Sequence, residues 1–282
     1  MEKYIRLMEK QEIDFNKKDL QWLTYLNNNW ADLNLKNKKK IIRKLSNRLC
    51  QKIGIPIVRV LFRKKLRNED ANATCGIRSH GLYYGLFFIP LYKQVTTIYK
   101  ENNLTHNFSH NLRLVMHELR HAVCCNILKS ARKQQKFRKL IESLDNPFLQ
   151  ETIKNYEKNY IFQKPNHNTE GILQPKEIDA EGFACKNLWN LYKHIEDKKF
   201  KNQLASCTLT RLDHQYRLFE AEKNNLRDDL TNITESNLIM NLCGFKPDKT
   251  KVSTKNKINQ DVAEDSLPIE NIVTTKPNNL EQ

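Results

Sequence analysis

The stretch Ser109-His-Asn-Leu112-Arg-Leu-Val115-Met116-His117-Glu118-Leu119-Arg120-His121-Ala122-Val123-Cys-Cys-Asn-Ile127 decides how the rest of the chain is read. Its apolar residues recur three or four apart, at Leu112, Val115, Met116, Leu119, Ala122, Val123 and Ile127, and form the strongest helical stripe in the sequence. Asn107 or Ser109 can cap its start. Inside this helix lies His117-Glu118-Leu119-Arg120-His121, the pattern H-E-x-x-H. Residues four apart share a helix face, so two imidazoles can converge on one ion. Glu118 is turned about 100° from His117 and can hydrogen-bond a water at that ion's open position. Two neutral imidazoles and one carboxylate suit zinc, which keeps a fourth position for solvent. The pentapeptide alone also fits an ordinary helix with two half-exposed histidines, so its surroundings carry weight.

Downstream, Glu177-Ile-Asp179-Ala180-Glu181-Gly-Phe183-Ala184 places a carboxylate cluster on a second helical pattern. Glu177 and Glu181 share a face, and Asp179 points to nearly the opposite side. Either glutamate can complete the donor set while the other holds an imidazole from behind. A solvated acidic patch at a helix start is the plainer alternative. Upstream, Val95–Lys100 leads through the polar turn Asn102–Ser109 into the histidine helix. It reads as an edge strand, against which an extended substrate could pair.

Working outward, helical spacing predicts Asp19–Leu33, Lys38–Ile53 closed by Gly54 and Pro56, Ala131–Leu144, Pro147–Phe162, Pro175–Ile195, Phe200–Leu230 and Glu235–Leu242. Strands are expected at Ile57–Phe62, Gly81–Ile89 and Val95–Lys100, and a loop at Gln163–Gln174. After Gly244 the composition turns to Lys, Asn, Thr, Asp and Pro, which predicts a disordered tail. The expected organisation is a basic helical region over 1–54, a main domain over 55–245 and the tail 246–282.

The chain has 282 residues, a net charge of +16 and 39% hydrophobic residues, enough for a sizeable core. No stretch approaches the roughly 20 apolar residues of a membrane span, and Met1-Glu-Lys-Tyr-Ile is not a secretory leader, so a cytoplasmic protein is expected. The 7 Cys show no C-x-x-C spacing, which argues for buried thiols rather than a disulfide framework or a thiolate zinc ribbon. Residues 1–68 hold 18 Lys and Arg against 6 Asp and Glu, a net of +12. That end could bind nucleic acid, with Trp22, Tyr25, Trp30 and Phe62 as stacking residues, although their spacing reads more simply as core.

His117-Glu-x-x-His121 followed by Glu177-x-x-Ala180-x-x-Phe183-Ala184 resembles the short gluzincin-like metallopeptidases of the ImmA/IrrE type over about residues 80–190. The resemblance implies an α+β, zincin-like fold. A small, mostly antiparallel sheet would pack on the H-E-x-x-H helix, with extra helices on both sides. It implies zinc held by His117, His121 and Glu177, Glu118 as general base, Glu181 as supporting or alternative ligand, and a protein or peptide substrate. Such proteins often reside on mobile genetic elements. Arg120 stands where that family often has Gly. Tyr83, Tyr84, His110, His214, Tyr216 and Arg217 are candidate donors to a transition-state oxyanion. The other readings are a nucleic-acid-binding protein and an inactive zincin fold kept as a binding module.

Overall fold

Helix α1 (Lys17–Asn29) is started by a reciprocal cap. Asp19 N–H donates to Asn16 Oδ1 at 3.0 Å, and Asn16 N–H donates to Asp19 Oδ2 at 2.9 Å. The second helix, α2 (Leu35–Ile53), buries Ile42, Leu45, Leu49 and Ile53 and ends at Gly54, whose φ of 88° lies in the left-handed region. A side chain there would be strained, which explains the glycine. The computed structural model describes residues 6–7, 9–10, 12–66, 72–84, 87–131, 144, 146–158, 172–226 and 228–243. Most of the helix expected at Ala131–Leu144, residues 163–171 of the expected loop and the tail 246–282 lie outside them.

Three strands follow: β1 (Arg59–Arg63), β2 (Ala73–Tyr84) and β3 (Phe87–Lys100). The sheet is mixed, in the order β1-β3-β2. β2 pairs antiparallel with β3 from Ala73↔Tyr99 to Tyr84↔Phe87, and β1 runs parallel to β3 from Arg59↔Thr96 to Arg63↔Lys100. Two sequence expectations are corrected. Gly81–Ile89 is not one strand but spans the end of the β2–β3 hairpin, because Tyr84 pairs with Phe87 across two residues. The strand leading to the histidine helix is the central one, covered on both sides over Thr96–Tyr99; among the described residues β1 and β2 form the edges.

After a 3₁₀ turn at Glu101–Thr105 comes α3 (Phe108–Ala131), capped by Asn107, whose Oδ1 accepts from His110 N–H at 2.9 Å. The remaining helices are α4 (Pro147–Lys158), α5 (Pro175–His194), α6 (Lys198–Glu222) and α7 (Asp228–Cys243). Seven α-helices and a small mixed sheet among the described residues make this an α+β fold. No described helix is long and apolar enough to cross a membrane.

All seven stripe residues of α3, from Leu112 to Ile127, are buried at 2% exposure or less. Each of these side chains other than Ala122 contributes roughly 1.5–3 kcal/mol by leaving water. One face of α3 packs on β2 and β3, while α5 packs on α3 and also on α4, α6 and α7. Side chains of α1, its C-cap Trp30 and α2 join the same apolar cluster: Leu23, Trp30, Leu45 and Leu49 lie in it with Leu112, Val115 and Phe183. Cys50, Cys124, Cys125 and Cys185 are buried, and Cys75 and Cys207 are half-buried.

Candidate metal centre

His117 and His121 project from one face of α3 toward α5, where Glu177 lies in the first turn and Glu181 one turn further on. His117 Nε2 and His121 Nε2 are 3.0 Å apart. Glu177 Oε2 lies 3.2 Å from the first and 3.3 Å from the second. Three donor atoms therefore form a nearly equilateral triangle, drawn from positions 60 residues apart in the chain. Both imidazoles are buried, while the Glu177 side chain keeps 28% of its surface exposed.

Each imidazole is also engaged through its other nitrogen. His117 Nδ1 meets Glu181 Oε2 at 3.1 Å, and His121 Nδ1 meets the hydroxyl of Tyr156 on α4. When Nδ1 carries the proton and donates it outward, Nε2 is left with a lone pair pointing into the triangle. Glu181 thus lies behind His117, and Glu177 lies in front of it. Glu181 is fully buried and fixed by Arg113, whose Nη1 donates to its two oxygens at 2.5 and 2.6 Å. Arg211 Nε on α6 approaches the same carboxylate at 3.4 Å.

Glu118 is buried beside the triangle. Ligand atoms of His117, Glu118 and His121 all lie within 4.8 Å of one another, and this buried group can hold a metal ion. Glu177 rather than Glu118 closes the tighter triangle, because it alone sits at 3.2–3.3 Å from both Nε2 atoms. Glu118 Oε2 is buried with no hydrogen-bond partner. An orphaned carboxylate oxygen costs free energy that a ligand in the site can repay.

The electrostatics favour a cation at the triangle. Burial opposes ionisation of Glu177, yet the His121 and His117 imidazoles hold its carboxyl well below the usual range. Burial likewise opposes ionisation of Glu181, but Arg113 and His117 hold it well below that range. Burial alone would depress His117; the carboxylates of Glu177 and Glu181 instead push it up to about 10. For Glu118, burial wins over the pull of the two imidazoles and raises the carboxyl.

No protein-family model, curated protein or solved structure matches this chain. Its function is therefore legible only in its own residues and their placement.

Asp179, expected to face away from the site, is buried on another side of α5 and meets Arg120 in a bidentate pair, Nε–Oδ2 at 2.7 Å and Nη2–Oδ1 at 2.9 Å. Arg120 is fully buried, and its Nη1 also reaches the carbonyls of Leu7 and Lys10 at 3.5 Å. This pair clamps α3 to α5 between the donor residues, so the arginine in the motif has a structural purpose. Arg113, Arg120, Asp179 and Tyr156 are the contributors that spacing did not reveal. For Arg113 and Arg120 the advance signal was charge interrupting the apolar run of α3.

The oxyanion candidates scatter. For Tyr83 and Tyr84 on β2 only the backbone is described. His110 lies beside His106 with tilted rings and centroids 4.6 Å apart, and burial, then Arg113 and His106, lower it to about 4. On α6, Arg217 pairs with Asp213 at the surface, Tyr216 packs against the cluster of Phe148, Leu173 and Phe219, and His214 is exposed.

Proposed function

We propose that the chain is a zinc-dependent metallopeptidase similar to the ImmA/IrrE type, hydrolysing peptide bonds of a protein substrate. The observation that carries this reading is the triangle of His117 Nε2, His121 Nε2 and Glu177 Oε2, with sides of 3.0–3.3 Å. A tetrahedral zinc with bonds of about 2.0–2.1 Å holds its ligand atoms about 3.3 Å apart, so the donor set fits the ion in size as well as chemistry. Three protein donors, rather than four, characterise catalytic zinc sites rather than structural ones. When bound, zinc supplies Lewis acidity, bringing the pKa of water toward neutrality and polarising a carbonyl.

The chain's own residues supply the rest. Glu118, with an unpartnered buried oxygen, accepts the proton of the attacking water and delivers it to the departing amine nitrogen. Arg113 orients Glu181, which keeps the His117 proton on Nδ1; Tyr156 stands behind His121. β2, an edge of the sheet among the described residues and packed on α3, offers main-chain groups to an extended peptide.

The test is Glu118→Gln. The variant should retain about one zinc per chain and the wild-type fold while losing hydrolysis of unfolded protein substrates by at least about a hundredfold, the lower range for a general base. Unchanged hydrolysis would refute the assignment. Zinc retained by a protein that hydrolyses no peptide before or after the substitution would point to the binding-module reading.

A further inference from the structure

One charged surface has no part in the peptidase chemistry. Leu35–Leu66 contains twelve Lys and Arg and no Asp or Glu. From α2, Lys36, Lys40, Arg43 and Lys44 are exposed; Arg63, Lys64 and Lys65 are exposed at and just beyond the end of β1. These two groups adjoin. Arg43 Nε donates to Val60 O at 3.4 Å, and Arg43 and Lys39 lie over the Phe62 ring at 5.1 and 5.8 Å. Carboxylates neutralise part of the set: Glu101 pairs with Lys39, and the buried Asp19 pairs with Arg48 and Lys52.

We infer that the face made by α2 and the C-terminal end of β1 binds the phosphate backbone of duplex DNA. Lys36, Lys40 and Lys44 succeed one another at single turns of α2, about 6 Å apart along its axis. A duplex carries one charge per about 1.7 Å of its axis, so successive lysines meet different phosphates and release counterions.

Two competing polyanions fit less well. Single strands need aromatic rings on which bases stack. Here Trp22 lies under Lys44 and Arg48 at 5.6 and 5.2 Å, Phe62 lies under Lys39 and Arg43, and Trp30 is 3% exposed with Lys38 over it. Of these four aromatic residues near the basic face, Tyr25 alone is exposed, and one ring is not a stacking track. An anionic membrane would require the apolar face of α2 for insertion, but Ile42, Leu45, Leu49 and Ile53 are committed to the core.

DNA binding at this face is independent of the metal centre and is tested without peptidase activity. Full-length protein is titrated into a labelled 24-base-pair DNA duplex, followed by fluorescence anisotropy at several salt concentrations. With about five or six phosphates neutralised, log K should fall against log[salt] with a slope of about −4.5 to −5.5. Lys36→Ala/Lys40→Ala/Lys64→Ala/Lys65→Ala should bring the slope about 3 to 4 closer to zero, whereas Lys198→Ala/Lys199→Ala, at exposed positions opening α6, should leave it unchanged. Lys36→Gln/Lys40→Gln replaces the fourfold variant if circular dichroism shows that the latter has not folded, and should remove about 2 from the slope. The inference is overturned by salt-insensitive or absent duplex binding, by equal losses in the two Lys→Ala variants, by tighter binding of the same-length single strand, or by capture on phosphatidylserine vesicles at salt where duplex is released.

Discussion

Replacing Arg120 by Met removes a guanidinium that is 0% exposed and makes two short bonds to Asp179, itself 6% exposed. What remains is a buried carboxylate without its cation, and stripping one partner from such a pair typically destabilises by about 3–5 kcal/mol. At roughly 2–4 °C per kcal/mol for domains of this size class, Tm should fall by roughly 6–20 °C. Asp179→Leu should cost a similar amount by leaving the buried Arg120 without its counter-charge. The double variant Arg120→Met/Asp179→Leu should recover most of either loss, because an apolar pair of similar volume replaces a buried ion pair at little net cost. A methionine also suits the space, since the guanidinium lies 5.4 Å from the Phe183 ring centroid. Urea unfolding of the metal-free wild type, both single variants and the double variant measures the coupling. Single losses under about 1 kcal/mol, or a double variant whose loss equals the sum of the two, would refute the clamp.

Three further outcomes are expected. Arg113→Met, by releasing Glu181 behind His117, should weaken zinc affinity by about 10- to 100-fold in a chelator competition. Tyr156→Phe should weaken it less, since it removes one contact to His121 and leaves the buried Glu181 charge paired. In acid, Asp19 sets a different limit: burial opposes its ionisation, but Lys52, the Asn16 backbone and Arg48 lower its pKa below 3.8. Its stabilisation is therefore complete above the unfolded value and lost as pH falls through the lower folded value, so Asp19→Asn should flatten the urea midpoint below about pH 4 and leave Glu177-dependent metal binding at neutral pH intact.

The helix bearing His117 and His121 was legible because seven apolar residues repeat at its period, and all seven are buried. The choice between Glu177 and Glu181 was not. Both share one face of α5, and only the offset between two packed helices puts one carboxylate at Nε2 and the other at Nδ1 of the same ring. Asp179 lies on another side of α5, as its spacing indicates, but its burial was not legible, because the far side of a surface helix is solvent, whereas α5 is enclosed by α3, α4, α6 and α7. Likewise Ala73, Cys75 and Ile77 at the start of β2 alternate and pack against the core, but two of the three are small, and the extended form of this stretch rests largely on pairing with β3. The central position of β3 was equally hidden, since a parallel partner 37 positions away leaves no local trace.

Three atoms enclosing one point decide whether this chain is a metalloenzyme, and X-ray absorption at the zinc edge reads that arrangement directly. Zinc-loaded protein should show nitrogen and oxygen neighbours at about 2.0–2.1 Å with two imidazoles; Glu177→Ala should lose most of the metal, and Glu181→Gln should keep the same neighbours with weaker affinity. Sulfur neighbours at about 2.3 Å, or a spectrum indifferent to Glu177→Ala with full metal content, would contradict it.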